Sequence, residues 1–535
     1  MLARSEQRDL VRRVVREALR LVERVLPSFT LPAAHQELTP DSGGKKVRPI
    51  RRFVIALVLA VSFLVNGVLA EQPGEFKPAA EQLAGAILID GRSMTYLQDL
   101  TDRFGGRLTG TPAYNHAAEW AMGEFRAAGV TDVKLESFTI PNGWDRGWAH
   151  GRILSPLDRP LHIESLGWAP STPAGGIKAE VVKVNEFSEA QIKAQADKIK
   201  GRVVMPDLAA LFAEGFSSFG KFIAALQYFK AAGVAAIVVG DREKNNVLNA
   251  AGFNWGGALN PLPMAQIGME DAKLIERLME KGPVTIEFSY ENKTSGPIQV
   301  NNVIAELKGR EKPDEWIIVG AHLDSWDYGT GAQDNGTGCA MVLEAARAIS
   351  TLVRSGHAPR RSIRFALWGG EEQGLLGSNA YVKAHDAELA KCIAVLNTDN
   401  GAGHPSGWKV EGRKDMEQAM KPICQTLLTG LSGGGVSEET SFDTDHGHFM
   451  LAGIPSLDLW VDLKPYGEVH HKTSDTIDKV DAHNLALGCA IVAVTAWVVA
   501  ERSEPIASHL DHAAVGVILR KHNLEGFLKA VGVWN

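Results

Sequence analysis

At 535 residues, with 45% hydrophobic and 22% charged residues, the chain is a folded protein too long for one ordinary domain, neither disordered nor fibrous. Its formal charge of −7 hides an asymmetry: residues 1–52 carry 12 Lys/Arg against 6 Asp/Glu, a net +6 that leaves −13 on the remainder. An acidic body argues against nucleic acid as a partner.

Residues 1–52 form a basic extension with an apolar-periodic stretch from Leu10 to Leu26. Residues 53–70 follow Arg51-Arg52 as an apolar run ending in Val68-Leu69-Ala70, the pattern of an export signal cleaved before Glu71. The alternative is an uncleaved membrane anchor through 53–70 with its basic tail in the cytoplasm. Either way the body is expected outside the cytoplasm, in a periplasmic or extracellular space.

Residues 71–145 open that body, with helical periodicity over 93–105 and 114–130 and then an extended stretch at 133–140. The character changes over 146–296, where strands VVKV, VVMP and AIVVG surround an apolar helix and a Gly/Asn-rich loop. This segment reads as a compact inserted domain. Over 297–505, strands EWIIVGA, SIRFALW, IAVLNTD and IPSLDLW alternate with helical segments, the last of them AHNLALGCAIVAVTAWVVAE. Residues 506–535 are left as a tail. The expected fold is α/β: a mostly parallel mixed sheet with helices on both faces, interrupted by a smaller β/α domain. Cys339, Cys392, Cys424 and Cys489 all fall in buried-looking segments without metal-site spacing, so free core thiols are expected.

The chemistry gathers where these strands end. His322 follows EWIIVGA, Glu371 and Glu372 follow SIRFALWGG, Asp399 ends IAVLNTD, and His471 follows IPSLDLW. Asp334, in GAQDNGTG, opens a helix and in isolation would read as an N-cap. In open α/β sheets, ligands bind at the carboxyl ends of strands. Two imidazoles, a bridging carboxylate and two terminal carboxylates can hold two zinc ions, leaving one glutamate over as general base. Asp324, two residues after His322, suits the carboxylate that takes the other N–H of a metal-bound imidazole.

The runs HLDSWDYGTGAQDNGTG, WGGEEQGLLGS, TDNGAG and HHKTSDT resemble the dinuclear-zinc exopeptidase family over roughly residues 85–503. The resemblance implies that His322 and Asp399 hold one zinc, that Glu372 and His471 hold the other, and that Asp334 bridges them. It also implies that Glu371 is the base, that Asp324 orients His322, and that 146–296 is similar to a protease-associated domain. His471 is chosen over the adjacent His470 partly on this ground. Asp445 and His446, in the stretch similar to the family's substrate-side helix, are candidate substrate contacts. Asp443 or Asp445 could meet a substrate ammonium, and Arg413 or Lys464 a substrate carboxylate.

The function expected is a secreted zinc metallo-exopeptidase acting on short peptides or dipeptides. A single-zinc glutaminyl cyclotransferase and a non-catalytic receptor-like protein on the same fold are the alternatives. A homodimer and the anchor through 53–70 remain open as further associations.

Overall fold

A computed structural model describes residues 71–207, 216–252, 256–530 and 532–535. The signal or anchor expected at 53–70 and the extension before it lie outside the described residues.

The main sheet has eight strands: β1 Asp132–Ile140, β2 Ile298–Leu307, β3 Lys312–His322, β4 Arg361–Trp368, β5 Cys392–Asn397, β6 Pro405–Lys409, β7 Gly435–Ser437 and β8 Ser456–Val461. Their spatial order is β1-β2-β4-β3-β5-β8-β6-β7. At its centre β4, β3, β5 and β8 run parallel, as do β6 and β7 at one edge. The pairings β1–β2, β2–β4 and β8–β6 are antiparallel.

Both faces of this sheet are covered, which is why its strands read as continuous apolar runs. Along β3, Ile317, Val319 and Ala321 join the core on one face and Trp316 and Ile318 the core on the other, as the two-residue period of a strand requires. Helices α1 Thr337–Arg354 and α2 Ala482–Glu501 pack in the first core. Trp368, Tyr381 and Phe449 fill the second, the latter two from helices Leu376–Ala384 and His446–Leu451. Among the described residues α2 is the one helix long and apolar enough to cross a membrane, but it is 78% buried in the protein. Its all-round apolar surface is that of a core helix.

Ile140 at the end of β1 pairs with Ile298 at the start of β2, so the intervening segment leaves and rejoins the sheet at one point. Within that segment lies a second eight-stranded sheet. Ile177–Val184, Val203–Pro206, Ala236–Gly240 and Met264–Ile267 run parallel at its centre. It has its own apolar core, to which Phe222, Phe229 and Ile275 contribute from two helices.

The C-terminal stretch departs from the expectation of a tail. Helices His512–Lys521 and Glu525–Ala530 place Val515, Leu519 and Leu528, with Trp534 beyond them, in one cluster with Leu375 and Phe442. All four cysteines are buried and free.

Candidate metal centre

Strand register places the ligand candidates together. His322 lies opposite Trp368, and Gly320 opposite Asn397, so β3, β4 and β5 finish nearly level. The turns after them carry Glu371, Glu372 and Asp399, while Asp334 sits in Ala332–Gly336 just ahead of α1. His322 Nε2 is 3.2 Å from Asp334 Oδ1 and 3.0 Å from Asp399 Oδ1. The other oxygen of Asp334 is 3.2 Å from His471 Nε2, which is in turn 3.0 Å from Glu372 Oε2. One carboxylate thus stands between two imidazole–carboxylate pairs. His470 Nε2 lies farther from Asp334, at 3.5 Å, and its ring stacks on that of His471.

The two adjacent glutamates are not equivalent. Glu372 meets His471 and accepts a hydrogen bond from the Trp326 amide at 3.3 Å. Glu371 lines the same cavity, and its side chain makes no hydrogen bond or ion pair among the described residues.

The support beneath this cluster differs in part from the expectation. Asp324 was expected to orient His322 through its carboxylate. The His322 Nδ1 is instead 2.9 Å from the Asp324 backbone carbonyl, with the carboxylate 3.8 Å away. That carboxylate accepts from Thr109 Oγ1 at 2.7 Å and from the backbone amides of Glu371 and Glu372 at 3.2 and 3.3 Å. Asp324 therefore holds the glutamate turn, and its main chain holds the imidazole.

Two supporting residues were missed in the sequence. Asp475 accepts from the amides of Gln333 and Asp334 at 2.7 and 3.1 Å. Arg107, fully buried, donates to the carbonyls of Leu323, Thr330 and Gly331 at 2.8–2.9 Å. Asp475 stands in a motif already noticed, but Arg107 lies more than two hundred residues from the loop it braces and carries no local signal.

The electrostatics are those of carboxylates crowded out of water. Burial pushes Glu371 well above the usual carboxylate range, and Asp399, Glu372 and Asp445 push it further against the pull of His322. Burial and the charge of Asp334 bring Glu372 to about 7. Burial disfavours a charged His471, but Glu372 and Asp334 outweigh it and hold the imidazole at about 10. His322 is likewise held well above the usual histidine range by Asp399, Glu371 and Asp334, despite its burial. In the metal-free chain, protons on these imidazoles stand in for cations.

The cluster opens on a cavity of about 540 Å³. Among the described residues no Lys or Arg lines it, so neither Arg413 nor Lys464 meets the expectation of a cation there. Asp443, Thr444, Tyr466 and Phe442 form part of its wall, with Leu524 and Phe527 from the C-terminal stretch. Asp445 and His446, expected as substrate contacts, do not line it. Both are buried, and His446 Nε2 lies 3.4 Å from Glu411 Oε1, because their helix turns inward against the sheet.

The sequence profile of peptidase family M28 matches residues 302–496. Carboxypeptidase Q of Rattus norvegicus is 31% identical over 424 residues, which cover 77% of this chain and 86% of that one. The chain belongs to peptidase family M28. It is a metallopeptidase, as the resemblance in its ligand loops implied. A solved M28 peptidase precursor from Shewanella amazonensis shares 28% identity and superposes with a TM-score of 0.71, covering 82% of this chain and all of that one. A zinc aminopeptidase from Bacillus subtilis, at 21% identity and a TM-score of 0.61, shares the M28 fold.

Proposed function

We propose that this M28 peptidase is a zinc-dependent exopeptidase of short peptides, with two ions held by His322, Asp399, Asp334, Glu372 and His471. The observation that carries the proposal is the placement of Asp334, with one carboxylate oxygen facing the His322–Asp399 pair and the other facing His471–Glu372. Imidazole and carboxylate donors suit zinc, and separations of 3.0–3.2 Å fall a few tenths of an ångström inside the roughly 3.3–3.4 Å edge of a tetrahedron with bonds of about 2.0–2.1 Å. Asp334, Asp399, Glu371 and Glu372 line the cavity together, with no lysine or arginine among the described residues of its wall, and also call for bound cations.

Zinc bound there would lower the pKa of a water and polarise a carbonyl. Glu371, whose carboxylate is uncommitted and faces the cavity, accepts the proton of the attacking water and returns it to the departing amine. Asp324 fixes the turn that aims Glu371, and Asp475 fixes the Asp334 turn. Asp443 on the wall, where no Lys or Arg stands among the described residues, favours a substrate that presents a free ammonium. Leu524 and Phe527 give part of the cavity an apolar wall, which favours peptides with an apolar side chain. Residues 146–296 act as a protease-associated-like module, and 53–70 export the body. Metal analysis of the zinc-loaded chain from Glu71 onward tests the centre: two ions per chain are expected, and Asp334→Ala should weaken both. One ion or none in the unaltered chain overturns the two-metal reading.

A further inference from the structure

The second sheet carries a loop that reaches into the metal centre. Ala250 donates its amide to the His471 carbonyl at 2.7 Å, and Asn249 forms an antiparallel bridge with Lys472. The Asn249 side-chain amide reaches the His470 carbonyl at 3.4 Å. Lys472 Nζ is buried, 3.1 Å from Glu243 Oε2, and also donates to the carbonyls of Gly467 and Glu468 at 3.2 Å each. A few residues on, Gly256 donates to the Gln373 carbonyl at 2.9 Å, beside Glu372. The same loop therefore grips both turns that carry the His471–Glu372 pair, and among its described residues none bonds to His322 or Asp399.

This grip answers a local need. His471 has φ +61°, a left-handed conformation that a residue with a Cβ avoids unless its surroundings impose it. The loop is itself tied down at its base. Asp241 accepts from the amides of Arg242, Glu243 and Asn249 at 2.6–2.8 Å, and from the side chain of Gln266 in the centre of the second sheet.

We infer that residues 241–252 are a positioning strap: they hold the His470–Lys472 turn so that His471 and Glu372 form one half of the metal centre. This gives the second sheet a part in assembling the site, and it rests on the two-metal reading above. Asp241 and Glu243 are positioning residues, since neither belongs to the ligand set.

The test uses the full chain, zinc itself as the probe, and a chromophoric chelator as competitor. In Asp241→Ala, one of the two ions should bind about 10–100-fold more weakly, as supporting contacts of metal ligands typically cost, while the other keeps its affinity. Hydrogen exchange in the metal-free protein should quicken over residues 467–473. Glu243→Gln, at a partly exposed side chain, keeps volume and a hydrogen-bonding group and should shift the same ion in the same direction by a smaller factor. Equal weakening of both ions, or unchanged binding and exchange in both variants, overturns the strap. Fewer than two ions in the unaltered chain would overturn the two-metal reading instead, and the exchange measurement alone would then decide the strap.

Discussion

Replacing Glu371 by glutamine separates a base from a ligand. The substitution keeps volume and a hydrogen-bonding group but removes the ability to accept a proton. Among the described residues the Glu371 side chain has no hydrogen bond to lose, and burial already pushes its carboxyl well above the usual range. Removing that buried charge should therefore leave stability within about 1 kcal/mol of the parent, or slightly raise it. General-base catalysis is typically worth about 10²–10⁴-fold, and at 1.36 kcal/mol per decade this raises the barrier by about 3–5 kcal/mol. Glu372→Gln should behave differently, because Glu372 stands 3.0 Å from His471 inside the ligand set, and a neutral amide is a poor zinc ligand. The assay is steady-state dipeptide hydrolysis alongside zinc content for both variants. Full zinc with kcat down by at least about a hundredfold is expected for Glu371→Gln. Near-parental turnover in that variant, or a loss of zinc from it that spares Glu372→Gln, refutes the assignment.

Other expectations follow from the same geometry. Metal ligands must shed their protons, and in the metal-free chain His471 keeps its proton up to about 10. Zinc binding at pH 7 should thus release protons and tighten as pH rises toward that value; calorimetric heats that do not depend on buffer ionisation enthalpy would contradict this. Burial disfavours a charged His446, but Glu411 and Asp458 raise it to about 9. Its stabilisation should be complete below about 6.5, the unfolded value, and lost as pH rises through about 9, so His446→Gln should flatten the fall in melting temperature across that window. Phe527→Ala should raise KM roughly tenfold for dipeptides with a large apolar side chain while sparing small ones; equal effects on both would show that the C-terminal wall does not select the substrate. The exported protein should begin at Glu71 by N-terminal sequencing, and a membrane-bound product that retains residues 1–52 would instead establish the anchor.

The central strands and the loops after them were legible in the sequence because each is a local pattern. A strand buried on both faces is a short apolar run, so 315–321, 362–368 and 393–397 announced themselves, and the candidate ligands followed directly behind. The largely apolar run 482–501 matched its helix residue for residue, since a helix mostly inside a core needs no long polar stripe. What lacked a local signature went unread. β2, antiparallel to both its neighbours, and the outer strands of the second sheet are defined by partners far away in the chain. Asp445 and His446 were candidate substrate contacts because their stretch resembles the family's substrate-side helix; only packing decided that both are buried away from the cavity wall.

The sequence by itself determined which residue types stand at the strand ends, and hence the family and the kind of ion they suit, because that chemistry is written in consecutive residues. Tertiary structure alone decided that Asp324 serves the glutamate amides, that Arg107 and Asp475 brace the loops, that the C-terminal helices wall the cavity, and that a loop of the second sheet grips His471. Each of these is a contact between groups far apart in the chain, or between a side chain and the backbone. Such contacts leave no periodicity in composition, because any residue has an amide to offer and only the fold determines which one comes within 3 Å.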